Sequence, residues 1–145
     1  MDFNPKELRK ADKNLQVKDV EVTAIKVNSK GKYIPTSNPK QTDIIKVSFK
    51  VNQNSNTSPG EKDVHVVVQD PKGKVSNAKG VFTDKKSNEE KKFTDHTIID
   101  YEDKDVNVVL YIDKNSKTYQ EGNYPVDLFL EGELVASTNL SLENY

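Results

Sequence analysis

In the run Ile44 to Val51, Ile45, Val47, Phe49 and Val51 fall on one side of an extended chain and Lys46, Ser48 and Lys50 on the other. Successive side chains of a strand point to opposite faces, so a period of two yields one apolar and one solvated face. Helical geometry would scatter the same residues around an axis. The pattern recurs between turn signals from Gln16 onward, which commits the chain to half-buried strands that must bury their apolar faces against one another.

Seven to eight such segments can be counted. The first runs from Val17 to Val27, and its inward set shifts from Val20 and Val22 to Ile25 and Val27, which requires a bulge or a bend. The segment around Val47 is followed by a breaking Ser58-Pro59-Gly60. A strand from Val64 to Gln69 then ends at Asp70-Pro71-Lys72-Gly73, where Pro presets φ and Gly supplies a positive φ. Val75 to Phe82 is a weaker candidate. The run TDKKSNEEKK, Thr83 to Lys92, holds no apolar residue and reads as a solvated, mobile loop.

Strand character resumes from Phe93 to Tyr101 through Thr97, Ile99 and Tyr101, and again with Val106, Val108, Leu110 and Ile112. Tyr124, Val126, Leu128 and Leu130 form the next inward set. Glu131-Gly132-Glu133 is a tight hairpin turn, and Leu134, Ala136, Thr138, Leu140 and Leu142 close the chain. Upstream of all these, Asn4 precedes Pro5, Glu7 lies in the first turn, and Leu8, Ala11 and Leu15 follow at helical spacing. This predicts a short N-terminal helix or linker over residues 1–15 and a β-domain over residues 16–145.

A chain of 145 residues can bury roughly 70% of its unfolded surface, enough for one core. Its apolar residues gather in short runs, unlike those of a disordered chain. No stretch approaches the ~20 apolar residues of a membrane span, and MDFNPKELRK has no apolar core of a signal peptide, so the chain reads as soluble and untargeted, with its compartment open. The absence of Cys excludes a disulfide framework, thiolate catalysis and Cys-ligated metal sites. Twenty-one of the 22 basic residues are Lys and 14 residues are Asn, a bias that reflects an AT-rich genome more than chemistry.

Short strands spaced by turns, with no helical pattern between them, favour an all-β, two-sheet antiparallel sandwich. Gly122-Asn123-Tyr124 suits a tyrosine corner, in which a buried ring sends its hydroxyl back to nearby backbone, although an ordinary core-edge Tyr fits as well. The segment EGNYPVDLFLEGELVASTNLSLENY, residues 121–145, combines this Gly-x-Tyr opening with an alternating strand, an acidic residue plus Gly at the turn and a closing strand. It resembles the last hairpin of bacterial immunoglobulin-like modules, and is similar to those at the C-terminal end of larger Bacteroidetes proteins. The resemblance implies an Ig-like sandwich and a place in a larger bacterial protein, and carries no catalytic residue.

Signatures of catalysis are missing: there is no GxSxG elbow, P-loop, GxGxxG, HExxH or EF-hand loop. His65 and His96 are 31 positions apart and read as solvent-facing strand or loop residues, with a joint metal or acid–base role as the alternative. Asp100, Glu102, Asp103 and Asp105 could gather oxygens around Ca²⁺, but without the Gly or Asn pattern of a dedicated loop they read as a solvated acidic turn. No catalytic residue, metal site or cofactor is expected, and the chain is expected not to be an enzyme.

Residues 1–92 carry 19 basic and 12 acidic side chains, a net of +7, whereas residues 93–145 carry 3 and 11, a net of −8. Interleaved strands would let these charges offset one another; the alternative is a polar molecule with a basic face near Lys72 to Lys92 and an acidic one near Asp100 to Asp105. A single Arg and Lys runs without interleaved aromatics argue against nucleic acid. The lack of Trp weakens a carbohydrate platform, for which Tyr33, Tyr111 and Tyr119 remain available.

The most specific signal lies on the outward faces. With the inward sets above, Val67, Phe129 and Val135 point outward from one sheet, and Val109 and Tyr111 from another strand. Clustered exposed apolar groups mark a partner surface, unless the N-terminal helix or the stretch around Phe82 covers them. The expected function is a protein-interaction or spacer module, with homodimerisation through this face as its specific form. A Ca²⁺-dependent adhesive or glycan-binding accessory domain is the alternative.

Overall fold

The structure is a computed structural model that describes residues 15–114 and 118–144. Ten strands are present: β1 (Val17–Val27), β2 (Tyr33–Thr36), β3 (Ile44–Val51), β4 (Gly60–Val68), β5 (Gly80–Asp84), β6 (Glu89–Phe93), β7 (Asp95–Tyr101), β8 (Val106–Asp113), β9 (Gly122–Leu130) and β10 (Glu133–Leu142). Their order is β2-β1-β3-β8 in the first sheet and β10-β9-β4-β7 in the second, and β5 and β6 form a separate hairpin. Every pairing between these strands is antiparallel. No α-helix occurs among the described residues, and the expected N-terminal helix lies almost wholly outside them. Leu15, at the end of that segment, is buried in the main core.

The alternating sets build this core as their spacing predicts. Ile45, Val47, Phe49 and Val51 from β3 and Val108, Leu110 and Ile112 from β8 meet Val64, Val66, Tyr101, Val126, Leu128 and Leu142 from the second sheet. Each of these strands gives one face to the shared core, and a one-residue slip would turn the whole set to water, so burial itself fixes the register. β1 does carry a bulge, between Lys18 and Glu21 with Asp19 at φ 55°, but not where the sequence placed it: the register runs unbroken from Glu21 to Ile25, and Val20, Val22 and Ala24, not Ile25 and Val27, face the main core. The β9–β10 turn is tight, Glu131 and Gly132 both having positive φ, as a two-residue hairpin loop requires.

Two tyrosines lock loops onto the core. The Tyr124 ring is buried, and its hydroxyl donates to the Gln120 carbonyl at 2.7 Å and accepts from the Gln120 N–H at 2.8 Å, the corner geometry expected of it. Tyr101 does the same with Asn54, donating to its carbonyl at 2.9 Å and accepting from its N–H at 2.8 Å.

Two features depart from the sequence reading. Tyr33 to Thr36 forms an edge strand, although its length and Pro35 hid it, because a proline is tolerated where no ladder bond is needed. The Thr83 to Lys92 stretch is no loose loop: it holds most of the β5–β6 hairpin, in which Thr83 pairs with Glu90 and Asp84 with Glu89. Polar residues suffice there because β6 presents Glu89 to Lys92 to solvent while Phe82 and Phe93, one from each strand of the hairpin, carry the packing.

Candidate interaction surfaces

The outward face of the second sheet is closed by this hairpin. Val67 from β4 and Phe129 from β9, expected at an exposed partner surface, form with Phe82 a second apolar cluster, against which Val75 and Phe93 pack. Phe129 is only 2% exposed. The Phe82 ring meets it edge-on at 4.8 Å, and the Lys91 ammonium lies 5.8 Å from its centroid. Val135 belongs elsewhere: the register shifts between Leu134 and Ala136, which turns Val135 toward the main core and leaves Leu134 exposed. The three-residue patch is therefore corrected, and for Val67 and Phe129 the alternative holds, cover by the stretch around Phe82. Its physical origin is the cover supplied by the chain itself, together with a bulge that shifts the phase of β10.

Beneath the hairpin stands a ring stack that linear reading missed. His65 and His96 face each other across β4 and β7, with ring centroids 4.4 Å apart. His65 also stacks on Phe82 at 4.5 Å, nearly parallel, and receives the edge of Phe93 at 4.9 Å. His96 Nε2 lies 3.0 Å from Asp63 Oδ1, whereas His65 Nδ1 is buried and has no hydrogen-bond partner among the described residues. Burial, and secondarily the neighbouring His96, lower the His65 pKa, with Asp63 opposing. The expectation of two unrelated solvent-facing histidines is corrected; the signal that could have found them is the pairing of β4 with β7, a long-range property.

The first sheet keeps its outward face open. Val109 and Tyr111 on β8 are 47% and 49% exposed, as the alternation predicted. Tyr33, 51% exposed, brings its ring edge-on to Tyr111 at 5.6 Å, while Ile34, the next residue of β2, is exposed on the opposite side of the sheet. Of the three tyrosines available for a sugar platform, these two meet at 63° to each other, while Tyr119 is buried against Tyr124. Two rings at that angle offer no common flat surface.

The acidic turn is occupied by its own chain. Asp103 accepts from the Gln53 side chain at 3.2 Å and lies 3.2 Å from the Tyr101 hydroxyl, whose proton goes to the Asn54 carbonyl, and Asp105 accepts from the Gln53 N–H at 2.7 Å. Among the described residues no three His, Asp or Glu side chains converge on a point where a metal could sit, so Asp100, Glu102, Asp103 and Asp105 do not assemble into the Ca²⁺ cluster that was the alternative. Charges of the two halves also meet: Lys79 lies 3.2 Å from Asp95 and Lys18 3.9 Å from Asp105. These are exposed pairs of small energetic weight.

A protein-family model described as a domain of unknown function, DUF8428, matches residues 18–143. No curated protein matches the chain. Among solved structures, the fold is similar to part of the Pseudomonas fluorescens alkylpurine DNA glycosylase AlkC bound to DNA containing an abasic site analog. The TM-score is 0.52 at 12% identity, over 89% of this chain and 30% of the glycosylase chain. Identity this low speaks for fold. The likeness nonetheless corrects the expectation that the chain is not an enzyme: a chain containing this fold is one, so missing linear motifs do not exclude a place in an enzyme. No helix among the described residues is long and apolar enough to cross a membrane.

Proposed function

The chain belongs to the DUF8428 family, and from that premise we propose that it is an Ig-like protein-interaction module that engages its partner through the open face of the β2-β1-β3-β8 sheet. The Ig-like reading is supported by the strand orders. Two sheets share one core, β9 and β10 form the closing hairpin, and β4 crosses from the first sheet to stand beside β9, as Greek-key sandwiches do. The interaction reading rests on one observation: Tyr33 and Tyr111, half exposed, pair edge-on beside exposed Val109. Tyrosine is enriched at partner surfaces because a rigid ring contributes area at small entropic cost and its hydroxyl stays solvated until docking.

A second copy of the chain is the simplest occupant of that face. Light scattering across a concentration series tests it. Self-association in the parent chain, abolished in a folded Tyr111→Asp variant, supports the reading; a monomer at every concentration removes the homodimer.

A second reading is contact with nucleic acid, favoured because the solved glycosylase of similar fold holds DNA. The exposed Lys85, Lys86 and Lys92 of the β5–β6 hairpin would then meet the phosphate backbone, Lys91 being paired with Asp84 at 3.0 Å. Binding of a fluorescent duplex that weakens steeply with salt supports it, and no binding at low salt removes it.

A further inference from the structure

A cavity of about 370 Å³ opens at the end of the sandwich where β4 and β8 finish and β9 begins. One wall is the turn after β4. Asp70 Oδ1 accepts from the Lys72 and Lys74 N–H groups at 2.9 and 3.0 Å, the Gly73 N–H returns to the Asp70 carbonyl, and the Asp70 N–H bonds to the Lys74 carbonyl. This closed turn presents two lysines from a fixed backbone. It also rests on Gly122: a Cβ there would come within 2.7 Å of Pro71 Cγ, and the φ of 140° belongs to glycine. Lys114 and Thr118 also line it.

Tyr119 completes the lining. It is 8% exposed, its ring lies edge-on to Tyr124 at 5.7 Å, and its hydroxyl is buried with no hydrogen-bond partner among the described residues. Burial, ahead of the neighbouring Tyr124 and Asp113, pushes its pKa up to about 12, so the group is an O–H donor at any physiological pH. A buried hydroxyl left unpaired costs stability, and native structures retain such groups where something else satisfies them.

Lys72 and Lys74 have no carboxylate within 4.0 Å among the described residues, and Lys114 shares Asp43 at 3.5 Å. With Lys114 shared by Asp43, the two lysines outside any ion pair, Lys72 and Lys74, stand against the carboxylate of Asp70, whose charge is directed onto two amides, and the lining is rich in donors. The volume falls within the range of small-molecule sites. We infer that this cavity binds a small oxyanion, the phosphate or carboxylate group of a small ligand, with Lys72 and Lys74 neutralising its charge and the Tyr119 hydroxyl donating to one of its oxygens. Nothing in this inference depends on the open face of the first sheet.

The test is a titration of the folded chain with sodium phosphate and, separately, sodium malonate, at constant ionic strength set by chloride, followed by amide NMR. Saturable shifts confined to Lys72, Lys74, Thr118 and Tyr119 are expected. Phosphate alone saturating the site assigns a phosphate-bearing ligand, and malonate alone a carboxylate. Tyr119→Phe is expected to weaken binding about tenfold, and Lys72→Ala with Lys74→Ala at least as much, as the loss of charge-assisted bonds predicts. The Phe variant should melt no lower than the parent without ligand, since it removes an unpaired group, which separates lost binding from lost folding. Shifts that grow linearly for both anions, or a Tyr119→Phe variant that binds as the parent does, overturn the proposal.

Discussion

His65 on β4 stands directly opposite His96 on β7, their rings stacked at 4.4 Å and 27°, with Phe82 of the covering hairpin against the other face of His65. The pair joins a titratable group to the packing of the hairpin. A proton on His65 places a charge inside a stack of rings and beside a second imidazole.

That arrangement sets the sign of a pH dependence. The folded chain holds the His65 pKa below its usual 6.5, so below that pH the unfolded chain takes up a proton that the folded one resists. The contribution is fully present above 6.5 and is lost as pH falls through the window beneath it. Urea midpoints should therefore drop between about pH 7.5 and 5.5, within the range where histidine titrates. Replacing His65 with Phe should flatten the drop; an equal drop in that variant would show that His65 is not its source.

Phe129 is a core residue of the second cluster, although its alternation places it on an outer face. Phe129→Asp buries an unpaired carboxylate beneath Phe82 and should cost ~3–5 kcal/mol, enough to unfold much of a marginal domain. Val109→Thr, on the open face, should stay within about 0.5 kcal/mol of the parent. Circular dichroism in urea reads both, and a folded, fully stable Phe129→Asp chain would mean that the hairpin does not cover this face.

The two backbone-bound tyrosines should be costly to shorten. Tyr101→Phe strands the N–H and carbonyl of Asn54, and Tyr124→Phe those of Gln120, so each is expected to lose ~1–3 kcal/mol with little change in volume. Tyr119→Phe, lacking a partner to strand, should lose nothing. Equal losses in all three variants would refute the distinction.

Which side of β3, β8 and β9 faces the core was legible from alternation, because the pleat ties each residue to one of two faces. So were the turn at Gly132 and the corner at Tyr124, whose causes lie within a few residues, whereas the bulge of β1 sits upstream of its expected place. The covering hairpin was harder to read, since β6 is all polar but for Phe93 and exists only because β5 pairs with it. The candidate surface divided along the same line: Val109 and Tyr111 stayed exposed, while Val67, Phe129 and Val135 did not.

Sequence by itself determined the number of faces and the residues that share each one, because a period of two is a local property of an extended chain. Tertiary structure alone decided what lies on top of a face. Covering Phe129 with Phe82, stacking His65 on His96 and gathering Lys72, Lys114 and Tyr119 around one cavity all join segments far apart in the chain. Such contacts repay their loop-closure entropy only when the whole sandwich has formed, so no short window of sequence carries their signal.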